Sequence, residues 1–245
     1  GYMISKDGLT WSDTLTVIDD GESTVTYYLK GRNGSITDQK TVTIKKDSTA
    51  PGGKIKAGEN SFTKFLNTIT FGYFFKNTVD VEISGTDATS GIAKIEYQKV
   101  AKGETYNADG TWTAGTSFSM TANDKSVIYA RITDVAGNTV IINSEGIVVY
   151  TDATTSDSVE YTRTTKTDVT SAIELKGNTV EEIRNGNTVL MEGTDYEIQD
   201  GKIVLKGEYL EKFPVGDYNL TVTYNPYGEN FDENAHGAAA TDSTI

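Results

Sequence analysis

One stretch of this chain is written twice. Trp11 through Thr49 reads WSDTLTVIDDGESTVTYYLKGRNGSITDQKTVTIKKDST, and Trp112 through Thr154 reads WTAGTSFSMTANDKSVIYARITDVAGNTVIINSEGIVVYTDAT. Val25, Tyr27 and Leu29 fall against Ile128, Ala130 and Ile132, and Gly34 falls against Gly137. Self-similarity of this kind marks an array of alike units. It also restrains an enzymatic reading. A residue present in both copies serves the fold of the unit, and a fold alone does not specify a function.

Within the units, hydrophobic residues alternate with polar ones. Val25–Leu29, Val79–Ile83, Ile203–Leu205 and Tyr218–Tyr224 each have the period of two that gives a strand one buried face. Turn pairs punctuate them: Asp7-Gly8, Asp20-Gly21, Asn33-Gly34, Asp109-Gly110, Asn185-Gly186 and Asp200-Gly201. The pattern predicts an all-β chain of tandem immunoglobulin-like β-sandwiches, the first incomplete. Two exceptions are expected. Phe62, Phe65, Leu66 and Ile69 have helical spacing with Asn60 or Ser61 as a cap, and Gly207–Lys212 predicts a single helical turn ending at Phe213-Pro214.

Linker chemistry sets the divisions. Lys46–Gly53 combines small residues with Pro51, and Thr151–Asp157 makes a second joint. The expected units are 1–49, the carboxy-terminal half of a sandwich; 50–153, a complete one; 154–230, a third; and 231–245, a tail or the start of a further unit. Half a sandwich leaves a bare core face and unpaired edges. The first unit therefore packs on a neighbour, exchanges strands with another chain through 1–49, or is a truncated stub.

Composition narrows the partners. With 22 basic against 35 acidic residues the chain carries a formal charge of -13, and no basic cluster offsets it. Nucleic-acid binding and attraction to an anionic membrane are disfavoured, and no segment has the length of a spanning helix. The absence of cysteine excludes disulfides, thiolate metal sites and cysteine nucleophiles. The chain reads as an excised piece, with targeting signals expected outside it.

The middle unit carries Ser84-Gly-Thr-Asp-Ala-Thr-Ser-Gly-Ile-Ala-Lys-Ile-Glu-Tyr97 and then Tyr129-Ala-Arg-Ile-Thr-Asp-Val-Ala-Gly-Asn138, with the linker Asp47-Ser-Thr-Ala-Pro51 closing the first copy. Over about residues 1–153 this resembles the bacterial immunoglobulin-like repeats of large cell-surface proteins. The first copy departs from the pattern, with Gly31 in place of Asp134 and Ser35 in place of Asn138. The third unit runs Asp168–Ile173, Leu175–Val180, Arg184–Leu190, Gly193–Ile198 and Gly207–Gly216 in order. Over about 155–228 it is similar to the X modules of cellulosomal scaffolding proteins and secreted glycoside hydrolases. The resemblance implies a non-catalytic module that aids attachment to polysaccharide or cell wall, or serves as a soluble spacer.

Catalytic chemistry is poorly supplied. The one histidine, His236, lies in the unpatterned tail. Glu181-Glu182 and the pair Glu208 and Glu211 have the residue type for glycoside hydrolysis, yet read as solvated faces. Calcium is the sharper candidate. Asp87 precedes Ser90-Gly91, and Asp134 precedes Gly137-Asn138, so Asp87, Asp134 and Asn138 offer hard oxygen ligands. The same residues serve turns by bonding their own backbone, so both readings stand. Trp11 and Trp112 occupy corresponding repeat positions, which favours packing over sugar stacking. Phe71–Phe75 is expected to close one end of a sandwich, and Tyr209 and Leu210 to plug a core.

These readings combine into a non-enzymatic fragment of a large extracellular or cell-surface bacterial protein without an obligatory cofactor. Its expected role is an adhesin stalk or spacer; the alternative is carbohydrate or cell-wall attachment through 155–228. Its expected partners are polysaccharide, cell wall or a host-surface ligand.

Overall fold

The computed structural model describes residues 1–155 and 158–245. The second joint, read over 151–157, therefore lies partly outside the described residues. The first unit is a three-stranded antiparallel meander of β1 (Met3–Ser5), β2 (Gly21–Lys30) and β3 (Lys40–Lys46), ordered β1-β2-β3. Among the described residues no second sheet lies over it. Ser5 is its one fully buried residue before Pro51, while Leu9, Ile18 and Val42 stand exposed.

The middle unit comprises β4 (Gly52–Ala57), β5 (Asn60–Phe62), β6 (Phe71–Lys76), β7 (Thr78–Thr86) and β8 (Ile92–Ala101). It continues with β9 (Thr113–Ala114), β10 (Ser117–Thr121), β11 (Asp124–Asp134), β12 (Thr139–Asn143) and β13 (Gly146–Tyr150). A four-stranded sheet, β10-β7-β4-β5, faces a larger one in which β6, β13, β11 and β8 run side by side and β12 also pairs with β11. Between the layers lie Ile55, Val81, Ile83, Met120, Ile128, Ile132 and Ile142, each at most 3% exposed. Full burial of an aliphatic side chain is worth about 1.5–3 kcal/mol. Gly53 and Gly85 pair across β4 and β7, and the layers meet closely there. A Cβ on either would stand 2.7 Å from Ile132.

The third unit contains β14 (Val169–Glu174), β15 (Thr179–Asn185), β16 (Thr188–Val189), β17 (Tyr196–Gln199) and β18 (Lys202–Leu205). The helical turn α1 (Gly207–Leu210), β19 (Leu220–Asn225) and a 3-10 turn (Pro226–Gly228) follow. Sheets β14-β18-β17 and β15-β19 enclose Ile173, Ile183, Ile203, Leu205 and Val222. Tyr209 is 5% exposed and plugs this core, as its position predicts, and α1 falls within the expected helical turn.

Residues 229–245 join the middle and third units. β20 (His236–Gly237) pairs in parallel with β6, and β21 (Ser243–Thr244) pairs antiparallel with β19. Phe231 lies 5.0 Å from the Phe74 ring, His236 stacks on Tyr73 at 4.5 Å, and the Tyr150 hydroxyl donates to the Ala238 carbonyl at 2.8 Å. Phe74, Val148 and Tyr150 of the middle unit share one apolar cluster with Ile173, Leu175 and Tyr224 of the third.

Two local expectations are corrected. The segment with helical spacing forms no helix: Phe62 pairs with Ile55 as part of β5, and Leu66 is held through both its backbone groups by the Asn143 side chain. Long-range hydrogen bonds override the local periodicity. Phe71–Phe75 does not close an end; it lies within strand β6, in parallel register with β13. Tyr73 and Phe75 pack on the middle core, whereas Phe74 points to the third unit.

Candidate functional site

The sequence candidates Asp87 and Asp134 come together at the top of the middle unit, joined by Asp47 from the linker. One carboxylate oxygen of each lies within 4.8 Å of the others. The loop after β7 positions Asp87, whose Oδ1 accepts the N–H groups of Thr89, Ser90 and Gly91 at 2.7–3.0 Å. Those bonds, that from Gly91 foremost, hold its carboxyl below the usual carboxylate range. The hairpin between β11 and β12 positions Asp134, 1% exposed, whose Oδ1 accepts the Asn138 N–H and whose Oδ2 accepts the Asn138 side-chain amide, each at 2.8 Å. The two loops interlock, because Val135 donates its N–H to the Gly91 carbonyl.

Asn138 acts here as a brace. Its amide nitrogen also donates to the Asp47 carbonyl at 3.3 Å, tying the linker to the hairpin. Asp47 accepts the Thr49 N–H on Oδ1, but its Oδ2 is sealed from solvent with no hydrogen-bond partner among the described residues. Asp20 organises the other side of the linker. Its carboxylate accepts from the Ser48 N–H, the Ser48 and Thr49 hydroxyls and the Lys46 ammonium, and those bonds, Lys46 first, hold its carboxyl far below the usual range. Sequence reading missed Asp47 as a candidate because forty positions separate it from Asp87. Its place in the linker motif was the available signal.

The third unit presents a groove of about 520 Å³ between α1, the 213–219 loop and residues 158–163. Four rings line it: Tyr161, Tyr209, Phe213 and Tyr218. Phe213 meets Tyr209 edge-on at 5.0 Å and Tyr218 at 5.2 Å. Tyr218 is 43% exposed, and its hydroxyl donates to the Pro214 carbonyl. Arg163 donates to the backbone carbonyls of Glu211 and Phe213, which fixes the wall. Asp217 and Asn219 add polar groups at the rim. Aromatic faces beside a few hydrogen-bonding groups are the usual means of binding a ring that is apolar on its faces and polar on its edge.

Other sequence candidates are placed elsewhere. Trp112 lies under the Arg131 guanidinium at 4.4 Å and donates its N–H to the Ala108 carbonyl; Trp11 lies under the Lys30 ammonium at 5.5 Å. Trp112 also packs against Tyr106 in a small apolar cluster, whereas Trp11 is half-buried. Glu182 pairs with Arg184, and Glu211 with Lys166, so neither presents a carboxylate couple across a cleft.

Comparison with known proteins bears on this third unit. Residues 154–231 match the family described as Carbohydrate binding domain X2. Cellulose-binding protein A of Clostridium cellulovorans is 26% identical over 196 residues, covering 78% of this chain and 10% of that protein. A Xyloglucanase of Paenibacillus sp is 36% identical over 58 residues, covering 24% of this chain and 6% of that protein. The chain thus spans a tenth or less of the curated relatives it matches. The longer alignment exceeds the third unit, so it takes in the middle unit too. The fold is all-β, and no helix among the described residues is long and apolar enough to cross a membrane.

Proposed function

We propose that this chain is a non-catalytic segment of an extracellular polysaccharide-handling protein and attaches to polysaccharide through its third unit. The observation that carries this reading is the coincidence of the carbohydrate-binding family match at 154–231 with an open groove lined by four aromatic rings. The names of the two relatives point to cellulose and xyloglucan as the first glycans to try. The sugar ring would stack on Tyr218, with Asp217 and Asn219 bonding its hydroxyls. The first and middle units then serve as spacers that carry the attachment unit away from its neighbours.

Affinity electrophoresis in soluble xyloglucan, together with a pull-down on insoluble cellulose, tests the reading. Retardation or retention of the 245-residue chain is expected. Tyr218→Ala should weaken it roughly tenfold, the equivalent of about 1.4 kcal/mol for one lost stacking contact. If the chain migrates unhindered and stays in the supernatant, attachment is wrong and the spacer role stands alone.

A second reading concerns the carboxylates of Asp47, Asp87 and Asp134. We infer that they take a calcium ion, for which the sealed, partnerless Oδ2 of Asp47 is the specific support. Three carboxylates converging from a linker, a loop and a hairpin supply half of the six to eight oxygens that calcium prefers. The ion would clip the linker between the first two units onto the middle one. With extracellular-type affinity, about 10 mM calcium should stabilise the middle unit by about 1.5–3 kcal/mol over the chelator-treated protein. Asp47→Asn should abolish most of that gain. Identical melting curves in calcium and chelator would dispose of the ion.

A further inference from the structure

The groove of the third unit is walled, and its rings do not lie in one plane. Phe213 is inclined at 69° to Tyr209 and at 50° to Tyr218. Tyr209 is almost wholly buried, Tyr161 and Phe213 are half-buried, and Tyr218 alone of the four stands exposed. Val215, in the same loop as Tyr218, is 93% exposed, so the 213–219 loop projects at the rim. Leu205, Leu220 and Ile245, each at most 8% exposed, supply an apolar floor.

Shape decides between two forms of polysaccharide. A crystalline face is flat and rigid, and stacking onto it needs several exposed rings in one plane with nothing standing above them. Here a flat lattice would meet the Val215 side chain before it reached the inclined rings. A single chain has no such restriction. It can bend into the cleft, lay one ring face on Tyr218 and turn its hydroxyls to Asp217 and Asn219. The cavity of about 520 Å³ lies within the range of clefts that enclose small ligands, about 300–1,000 Å³, so it holds a short stretch of one chain and not a layer of many.

Charge narrows the chain further. Residues 154–231 carry 14 acidic against 7 basic residues. Among the described residues that line the groove, Arg163 is the one cation, and its guanidinium is turned onto the Glu211 and Phe213 carbonyls; Asp217 is the one anion. A polymer of uronate or phosphate units would approach an acidic module and meet a carboxylate at the rim. Like charges set together in this way oppose binding.

Resting on the attachment reading above, we propose that the groove selects single, uncharged glycan chains, free or in disordered regions of a polysaccharide, over crystalline faces and anionic wall polymers. Tyr218 supplies the stacking surface, and Asp217 and Asn219 bond the hydroxyls at the ring edge. The projecting Val215 keeps a flat lattice off the rings, and the acidic surroundings keep polyanions out. Selection of this kind works by exclusion as much as by attraction.

The test sets the intact chain against soluble xyloglucan, acid-swollen cellulose, microcrystalline cellulose and polygalacturonate. Xyloglucan should retard it. Acid-swollen cellulose should retain it at least about tenfold more than microcrystalline cellulose per unit of accessible area. Free xyloglucan should elute the protein from the swollen cellulose, and polygalacturonate should leave its migration unchanged. Asn219→Ala, at an exposed position of the rim, should weaken retardation by xyloglucan about fivefold, the loss of one hydrogen bond, with melting unchanged. Equal retention per area on microcrystalline cellulose, or retardation by polygalacturonate as strong as by xyloglucan, overturns the selection while attachment stands. Undiminished retardation of the Asn219 variant also overturns it, because the chain would then lie elsewhere. A blank with all four glycans overturns both the selection and the attachment it rests on.

Discussion

Tyr150→Ala is expected to destabilise the protein by about 3–5 kcal/mol, the cost of deleting a large buried ring and leaving a cavity. Tyr150 is the last residue of β13 and is 0% exposed, with its ring in the apolar cluster shared by the middle and third units. Burial first, and the nearby Asp152 charge second, push its phenol up to about 12, so the hydroxyl stays a neutral donor to the Ala238 carbonyl through the physiological range. Tyr150→Phe separates the two contributions. Losing only the hydrogen bond should cost about 1–2 kcal/mol, because a carbonyl loses its donor while the ring still fills the space. Urea unfolding followed by fluorescence and by circular dichroism measures both variants. The middle and third units should weaken together. A shift confined to one of them would show that the shared cluster does not couple the two.

Gly237→Ala should be nearly as damaging, at about 3 kcal/mol, although it adds a single methyl group. Gly237 lies in β20 with φ of +100°, a conformation that side-chain-bearing residues rarely adopt. A Cβ there would stand 1.9 Å from the Phe74 carbonyl oxygen, and that carbonyl belongs to strand β6 and cannot swing aside. β20 must therefore leave the sheet. With it go the His236–Tyr73 stack and the Tyr150–Ala238 bond; the link from the Thr241 N–H to Asp152 is also at risk. Gly72→Ala is the control, since it lies in β6 with no atom within 4 Å of its would-be Cβ. Limited proteolysis should cut residues 230–242 much faster in the Gly237 variant and at the parental rate in the Gly72 variant. Equal rates in all three would refute the clamp.

Much of the architecture is legible because strands declare themselves through side chains two residues apart. β2, β7 and β19 all fall on alternating segments, and Asp200-Gly201 adopts positive φ at both residues between β17 and β18. The all-β class follows from that local chemistry. The same logic fails where burial is two-sided. Phe71–Phe75 does not alternate because β6 has the middle core on one side and the third unit on the other, so both faces prefer apolar residues. It fails again at Phe62–Ile69, where a helical spacing yields to Asn143, whose side chain grips Leu66 from far along the chain.

The candidate sites divide in the same way. Asp87 and Asp134 could be singled out because each sits in a turn whose geometry depends on its neighbours in sequence. Asp47 could not, since only the folding of the linker against the hairpin brings its carboxylate near theirs. The aromatic groove was hidden for a related reason. Tyr161 and Tyr218 are far apart in the chain and meet only when the 158–163 segment lies beside α1.

Sequence alone therefore settled the strand periodicity and with it the all-β class, both of which depend on residue type and short spacing. Tertiary structure alone decided that the tail staples two units together and that three acidic side chains converge. Those outcomes depend on which distant surfaces meet, and contact between remote segments is governed by the packing of whole layers.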